Sequence, residues 1–149
     1  MLIGVPKEIK VHEYRVGLTP SSVHALTSAG HEVFLESKAG AGVGYSDTDY
    51  QAVGAKVLPG AAAVFDRAEL IVKVKEPQAV ERALLTERHT LFTYLHLAPD
   101  PIQAAELQQS GCTAIAYETV TANDGGLPLL IPMSEVAGRL SVQAAAFSL

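Results

Sequence analysis

The feature that most constrains this chain is an alternation: short apolar runs, with turns marked by proline or glycine, alternate with helix-compatible stretches, without an internal sequence repeat. Leu2-Ile3-Gly4-Val5 reads as a strand stopped by Pro6. Thr19-Pro20 supplies an N-cap and a proline at the first helical position, and Gly30 closes that helix, with Val23 and Leu26 on its apolar side. Glu32 to Leu35 is a second strand, and Ser46 to Val53 a short helix with Ser46 as cap and Gly54 as terminator. Leu70 to Lys75 is a third strand, followed by Pro77 and a helix-compatible segment to about Arg88. Thr90 to His96 is a fourth strand, Asp100-Pro101 opens a helix that ends at Gly111, and Thr113 to Tyr117 is a fifth strand. This alternation predicts an α/β fold, a parallel sheet flanked by helices.

The pattern breaks at residues 121–132. Asn123-Asp124-Gly125-Gly126 is a strong turn signal, and Pro128 and Pro132 bracket Leu129-Leu130-Ile131. That stretch reads as a domain exit, with residues 1–128 as one domain and 129–149 as the start of a linker helix. Met133 to Leu149 is expected to be helical, with Val136, Leu140, Gln143 and Phe147 along one side. No helix terminator follows, so the helix is expected to be cut through or to await a partner surface.

Composition narrows the function classes. The 149 residues are 48% hydrophobic and 18% charged, enough for a folded core and unlike a disordered chain. A formal net charge of −5 speaks against a nucleic-acid partner, which requires a basic surface. The single cysteine, Cys112, has no partner for an intrachain disulfide and no CxxC neighbour, and is expected to be a small buried hydrophobe. No run approaches the ~18 apolar residues that would span a membrane, and there is no signal-peptide core. A reducing cytoplasm is the expected compartment. His12, His24, His31 and His89 show no metal-ligand spacing, so no metal site is expected.

Four places carry chemistry. Gly40-Ala41-Gly42-Val43-Gly44 follows a strand and precedes a helix, but Tyr45 stands where a dinucleotide loop needs its third glycine. A plain turn is expected there, so a phosphate-binding loop for NAD would lie outside this chain. Lys75 and His96 both fall at the carboxyl ends of strands, before Pro77 and Pro99, where open α/β sheets place their ligands. Alternation puts Val72 and Val74 on one face and Lys73 and Lys75 on the other, while Phe92, Tyr94 and His96 share a face. Arg15 lies in the loop after the first strand, on the same side, and an arginine fork suits a carboxylate. Taken singly, each pattern also fits a solvated lysine, a structural histidine or a surface arginine. Together, two cations and a histidine suit a small anionic substrate with a carbonyl.

Four motifs, in order, resemble the N-terminal region of bacterial alanine dehydrogenases. They are Ile3-Gly4-Val5-Pro6-Lys7-Glu8-Ile9-Lys10 with Glu13-Tyr14-Arg15-Val16; Val72-Lys73-Val74-Lys75-Glu76-Pro77; Leu91-Phe92-Thr93-Tyr94-Leu95-His96-Leu97-Ala98; and Tyr117-Glu118-Thr119-Val120 followed by Pro132-Met133-Ser134-Glu135-Val136-Ala137-Gly138-Arg139. The resemblance covers nearly the whole chain. It implies a Rossmann-like substrate domain, with the cofactor domain absent from this chain. It further implies NAD as cofactor, interconversion of L-alanine with pyruvate and ammonium, and assembly as a homo-oligomer, hexameric in the family. By the same resemblance, Arg15 binds the substrate carboxylate, Lys75 hydrogen-bonds the carboxylate or carbonyl region, and His96 is the general acid/base. Ser134 is implied to lie near the nicotinamide end of the cofactor, with Met133 packing beside it. The family also uses an aspartate from the cofactor domain and a returning C-terminal segment that completes the first domain. Two alternatives remain: the nicotinamide-binding subunit of a proton-translocating transhydrogenase, and a stand-alone binding or assembly module. As a fragment, the chain is expected to be inactive by itself.

Overall fold

The computed structural model describes residues 1–148. It divides into a compact unit spanning Met1–Ile115 and a second beginning at Ala116.

The first unit is built on a sheet whose strands are β1 (Leu2–Val5), β2 (Glu32–Glu36), β3 (Lys56–Leu58), β4 (Leu70–Val72), β5 (Thr90–Thr93) and β6 (Thr113–Ala116). Their order is β3-β2-β1-β4-β5-β6. The registered pairs β1–β2, β1–β4, β2–β3 and β4–β5 are all parallel. Helices α1 (Pro20–Ser28), α2 (Asp47–Ala52), α3 (Ala61–Arg67), α4 (Ala79–Arg82) and α5 (Pro101–Ser110) connect them. The expected α/β fold is therefore the one observed.

The central strands are apolar throughout because both faces are covered, as parallel sheets require. Ile3, Val5, Val33, Phe34, Leu35, Ile71 and Leu91 are all buried. Local signals start and stop the helices as expected. The Thr19 side chain accepts from the Ser22 N–H at the start of α1. Ser46 and Asp49 form a reciprocal capping box on α2. Asp100 caps α5 through the Gln103 N–H, and Gly111 ends it at a φ of 72°. Tyr50 of α2 is buried and donates its hydroxyl to the Leu18 carbonyl at 2.9 Å. Burial pushes that hydroxyl's pKa up to about 12, so it remains a donor across the working pH range.

Gly4 carries the close packing of α3 on β1. A Cβ there would lie 2.7 Å from the Ala68 Cβ and 2.8 Å from the Val64 Cγ1. Gly4→Ala is expected to destabilise the first unit by about 1–3 kcal/mol through overpacking, measured as a lower denaturation midpoint in urea. An unchanged midpoint would mean that α3 moves away at no cost.

Several elements differ from the sequence expectation. β4 stops at Val72 and not at Lys75, because the Val74 N–H turns to a side-chain acceptor, Glu8 Oε1, at 2.6 Å. β5 stops at Thr93 and not at His96, whose φ of 48° cannot continue an extended strand. The segment after Pro77 forms only the single turn of α4 and does not run on to Arg88. Downstream, the His89 ring captures the Thr86 N–H at 2.9 Å and reaches the Phe65 carbonyl at 2.9 Å, which fixes a non-helical turn. β3 and α3 carry no sequence expectation. Cys112 is half-buried, not fully buried.

In the second unit, the Asn123-Asp124-Gly125-Gly126 turn closes with Ala122 and Gly126 paired at 2.8 Å and Gly125 at a φ of 82°. Helix α6 spans Ile131–Ser148 and buries none of its residues. It starts two residues before the expected Met133, and Leu149 lies outside the described residues. Among the described residues no helix is long and apolar enough to cross a membrane.

Candidate functional site

The strand order reverses direction of growth between β1 and β4. From β1 the chain adds β2 and β3 outward; it then returns to place β4 on the other side of β1. Loops leaving the carboxyl ends of the two strands at such a switch point diverge and leave a crevice, the usual ligand site of an open α/β sheet. Here those loops are the segment after Val5, which carries Glu8, Glu13 and Arg15, and the segment after Val72, which carries Lys73 and Lys75.

Arg15 is oriented by its neighbour two residues back. Glu13 accepts from Arg15 Nε at 2.8 Å, from Nη2 at 2.7 Å and from the Arg15 backbone N–H at 2.9 Å. This two-pronged clamp fixes the plane of the guanidinium. Hydrogen bonds from Arg15 hold the Glu13 carboxyl below its ordinary range against the effect of burial, and the nearby Lys75 charge adds to the lowering. The field of Lys75 thus reaches the Glu13–Arg15 pair.

The glycine-rich stretch backs this loop. Gly42 packs so closely that a Cβ would lie 2.5 Å from the Tyr14 carbonyl oxygen. Residues Ala41–Val43 form one 3₁₀ turn ending at Gly44. Of the three glycines only Gly42 meets the Arg15 loop; Gly40 packs against Tyr50, and Gly44 turns the chain at a φ of 85°. The resulting cleft, about 330 Å³, is lined by Lys10, His12, Glu13, Tyr14, Arg15 and Gly42 among others.

Lys75 stands three residues beyond the end of β4. Its backbone carbonyl accepts the Thr93 hydroxyl at 2.9 Å, and its N–H lies 3.4 Å from Glu8 Oε1. Glu8 also contacts Lys73, whose side chain is 0% exposed. Lys73 Nζ sits 3.1 Å from Glu8 and 2.6 Å from Glu81, and both carboxylates are 2% exposed. Glu81 meanwhile accepts the Gln78 N–H at 2.8 Å. A buried charge triad therefore joins the loop after β1, the end of β4 and α4. Burial pushes the Glu8 carboxyl pKa up, with Lys73 as the main opposing influence. The alternation rule put Lys73 on the face of Lys75; in fact Val72, Lys73 and Val74 are all buried.

His96 follows β5 in the left-handed region at φ 48°. Its ring stacks beside Tyr94, with centroids 6.5 Å apart and planes 27° apart. A cleft of about 420 Å³ is lined by Lys75 and His96 together with Lys10, Glu76, Pro99, Asp100 and Gln103. Lys10 is ion-paired with Glu76 and lines both clefts, so they adjoin.

Arg15, Lys75 and His96 are thus gathered at one end of the first unit's sheet. Met133 and Ser134 lie in the second unit, exposed in the first turns of α6, with the Ser134 N–H donating to the Leu130 carbonyl at 3.1 Å. Two contributors were not legible in the sequence as functional residues. Glu13 had a signal in its two-residue spacing from Arg15. The Glu8–Lys73–Glu81 triad had none, because its members stand 65 and 8 residues apart.

The structure is an open parallel α/β sheet with Arg15, Lys75 and His96 in the loops that follow β1, β4 and β5. The model of the alanine dehydrogenase/PNT N-terminal domain matches residues 4–137, and the chain belongs to that family. It is 58% identical over its full length to an alanine dehydrogenase of Halomonas elongata and 52% identical to one of Mycolicibacterium smegmatis. It spans 40% of the length of each. A solved L-alanine dehydrogenase superposes with a TM-score of 0.90 at 55% identity, over 96% of this chain and 39% of that one. A transhydrogenase from Sinorhizobium meliloti gives a TM-score of 0.74 at 28% identity, over 79% of this chain and 35% of that one. The resemblance read from the four motifs is borne out.

Proposed function

We propose that this chain is the substrate-binding portion of an NAD-dependent L-alanine dehydrogenase, which converts L-alanine, NAD and water reversibly to pyruvate, ammonium and NADH. The observation that carries the proposal is the convergence of an oriented guanidinium, a lysine and a histidine on adjoining clefts beyond the carboxyl ends of β1, β4 and β5. The transhydrogenase alternative is disfavoured by its lower identity and TM-score.

Arg15, its plane held by Glu13, takes the carboxylate of alanine or pyruvate. Lys75 donates to the carboxylate or carbonyl oxygen and favours the negative charge that develops there. His96 moves the proton as water adds to the imine and the carbinolamine collapses to ketone and ammonium. NAD, when bound, supplies the hydride acceptor for the alanine Cα. In this chain Ser134 and Met133 are assigned to its nicotinamide end. The segment from residue 129 leads toward a separate cofactor domain, in keeping with relatives two and a half times as long. The same reading places the enzyme in the cytoplasm, which suits the lone cysteine. Homo-oligomeric assembly is part of it, on family likeness alone.

Arg15→Lys in the full-length protein tests the carboxylate assignment. Lysine keeps the charge but not the planar fork. Losing one charge-assisted hydrogen bond, about 1.5–3 kcal/mol, is expected to raise the KM for pyruvate by roughly 10-fold or more. An unchanged KM for pyruvate would remove Arg15 from the site.

A further inference from the structure

We propose that Gln103 is a positioning residue for His96, holding the strained turn that presents the imidazole to the cleft. This rests on the reading of His96 as the acid/base group.

His96 is not glycine, yet it occupies the left-handed region at φ 48°. Such a conformation persists where the surroundings over-determine it. The residue immediately before it, Leu95, is buried, and its carbonyl accepts from Gln103 Nε2 at 2.6 Å. Gln103 is 0% exposed, so this bond is shielded from water. The side chain is itself fixed from behind. Gln103 sits in the first turn of α5, which starts at Pro101, and its backbone N–H donates to Asp100 Oδ1 at 2.9 Å. A helix start is thereby tied to the peptide that precedes the histidine.

The amide orientation follows from the partner. A carbonyl needs a donor, so Nε2 must face Leu95. That leaves Gln103 Oε1 buried with no hydrogen-bond partner. An apolar side chain of like volume would remove that oxygen but would leave the buried Leu95 carbonyl without its donor. The donor is therefore the working end of this amide, and it acts on the peptide that precedes His96. Gln103 also lines the cleft that Lys75 and His96 share.

The test uses the full-length enzyme and a double-mutant cycle with Gln103→Met, His96→Ala and the pair. Gln103→Met keeps the length of the side chain and loses the donor. It is expected to lower kcat by about 10-fold with the KM for pyruvate and NADH changed by less than about 2-fold. In the His96→Ala background the same change is expected to leave kcat within about 2-fold, because the group it positions is gone. Gln103→Glu, which can donate only when protonated, is expected to recover activity as pH falls. Multiplying losses in the double variant, or a wild-type kcat in Gln103→Met, would overturn the proposal. If Gln103→Met folds poorly, Gln103→Glu compared at acidic and alkaline pH tests the same donor, and equal activity at both would overturn the proposal. A near-wild-type kcat for His96→Ala would instead fail the acid/base reading itself.

Discussion

Replacing His96 with alanine in the full-length protein is expected to lower the turnover of alanine by ~10²-fold or more, with the KM for pyruvate moving far less. The expectation follows from where the ring is held. It leaves β5 at the carboxyl edge, in a backbone conformation that a strand cannot continue, and it shares a cleft with Lys75. Proton transfer is needed twice in the reaction, as water adds to the imine and as ammonium departs. A positioned histidine suits both, since imidazole exchanges protons near neutral pH. Carboxylate binding falls to Arg15, so the loss should appear in kcat. Added imidazole should restore part of the rate if the missing function is proton transfer. Turnover within a factor of three of wild type would reject the role.

The second large effect concerns folding. Lys73→Met is expected to destabilise the first unit by about 3–5 kcal/mol at neutral pH, because it strands two buried carboxylates without their cation. The pH dependence follows from Glu8. Burial already raises its folded pKa above 4.5, so the folded state holds this proton more tightly than the unfolded chain does. Stability from that group is therefore greatest below about 4.5 and is lost as pH rises through the folded value. Without Lys73 the folded pKa rises further. The variant should thus recover stability on acidification relative to wild type, as read from urea midpoints across pH. A uniform deficit at all pH values would mean that the loss is one of packing and not of charge. Replacing Lys73, Glu8 and Glu81 together by apolar residues of similar volume should cost much less than Lys73→Met alone.

These two effects differ in how visible they were in the sequence. His96 was legible because a strand reading and a following proline placed it at the carboxyl end, even though β5 stops three residues sooner. The caps of α1, α2 and α5 were legible because each is a local bond between residues three apart. β3 and α3 were not: β3 is only three residues long, and α3 begins at Ala61 after Gly60, which supplies no side-chain cap. Lys73 was misplaced because alternation assumes that a charged residue faces water. What holds it inside is a pair of carboxylates from other segments, which periodicity does not register. The Gln103 amide is likewise decided by a carbonyl eight residues away, beyond the reach of a helix pattern.

The most direct test of the central claim is hydride transfer by the full-length protein, assayed in parallel with two donors. With L-alanine and NAD the expected result is NADH formation that vanishes when alanine is omitted, and that falls in His96→Ala and Arg15→Lys. With NADH and an oxidised nucleotide analogue but no alanine, little exchange is expected. Exchange between nucleotides without alanine-dependent NADH formation would contradict the assignment and favour a transhydrogenase.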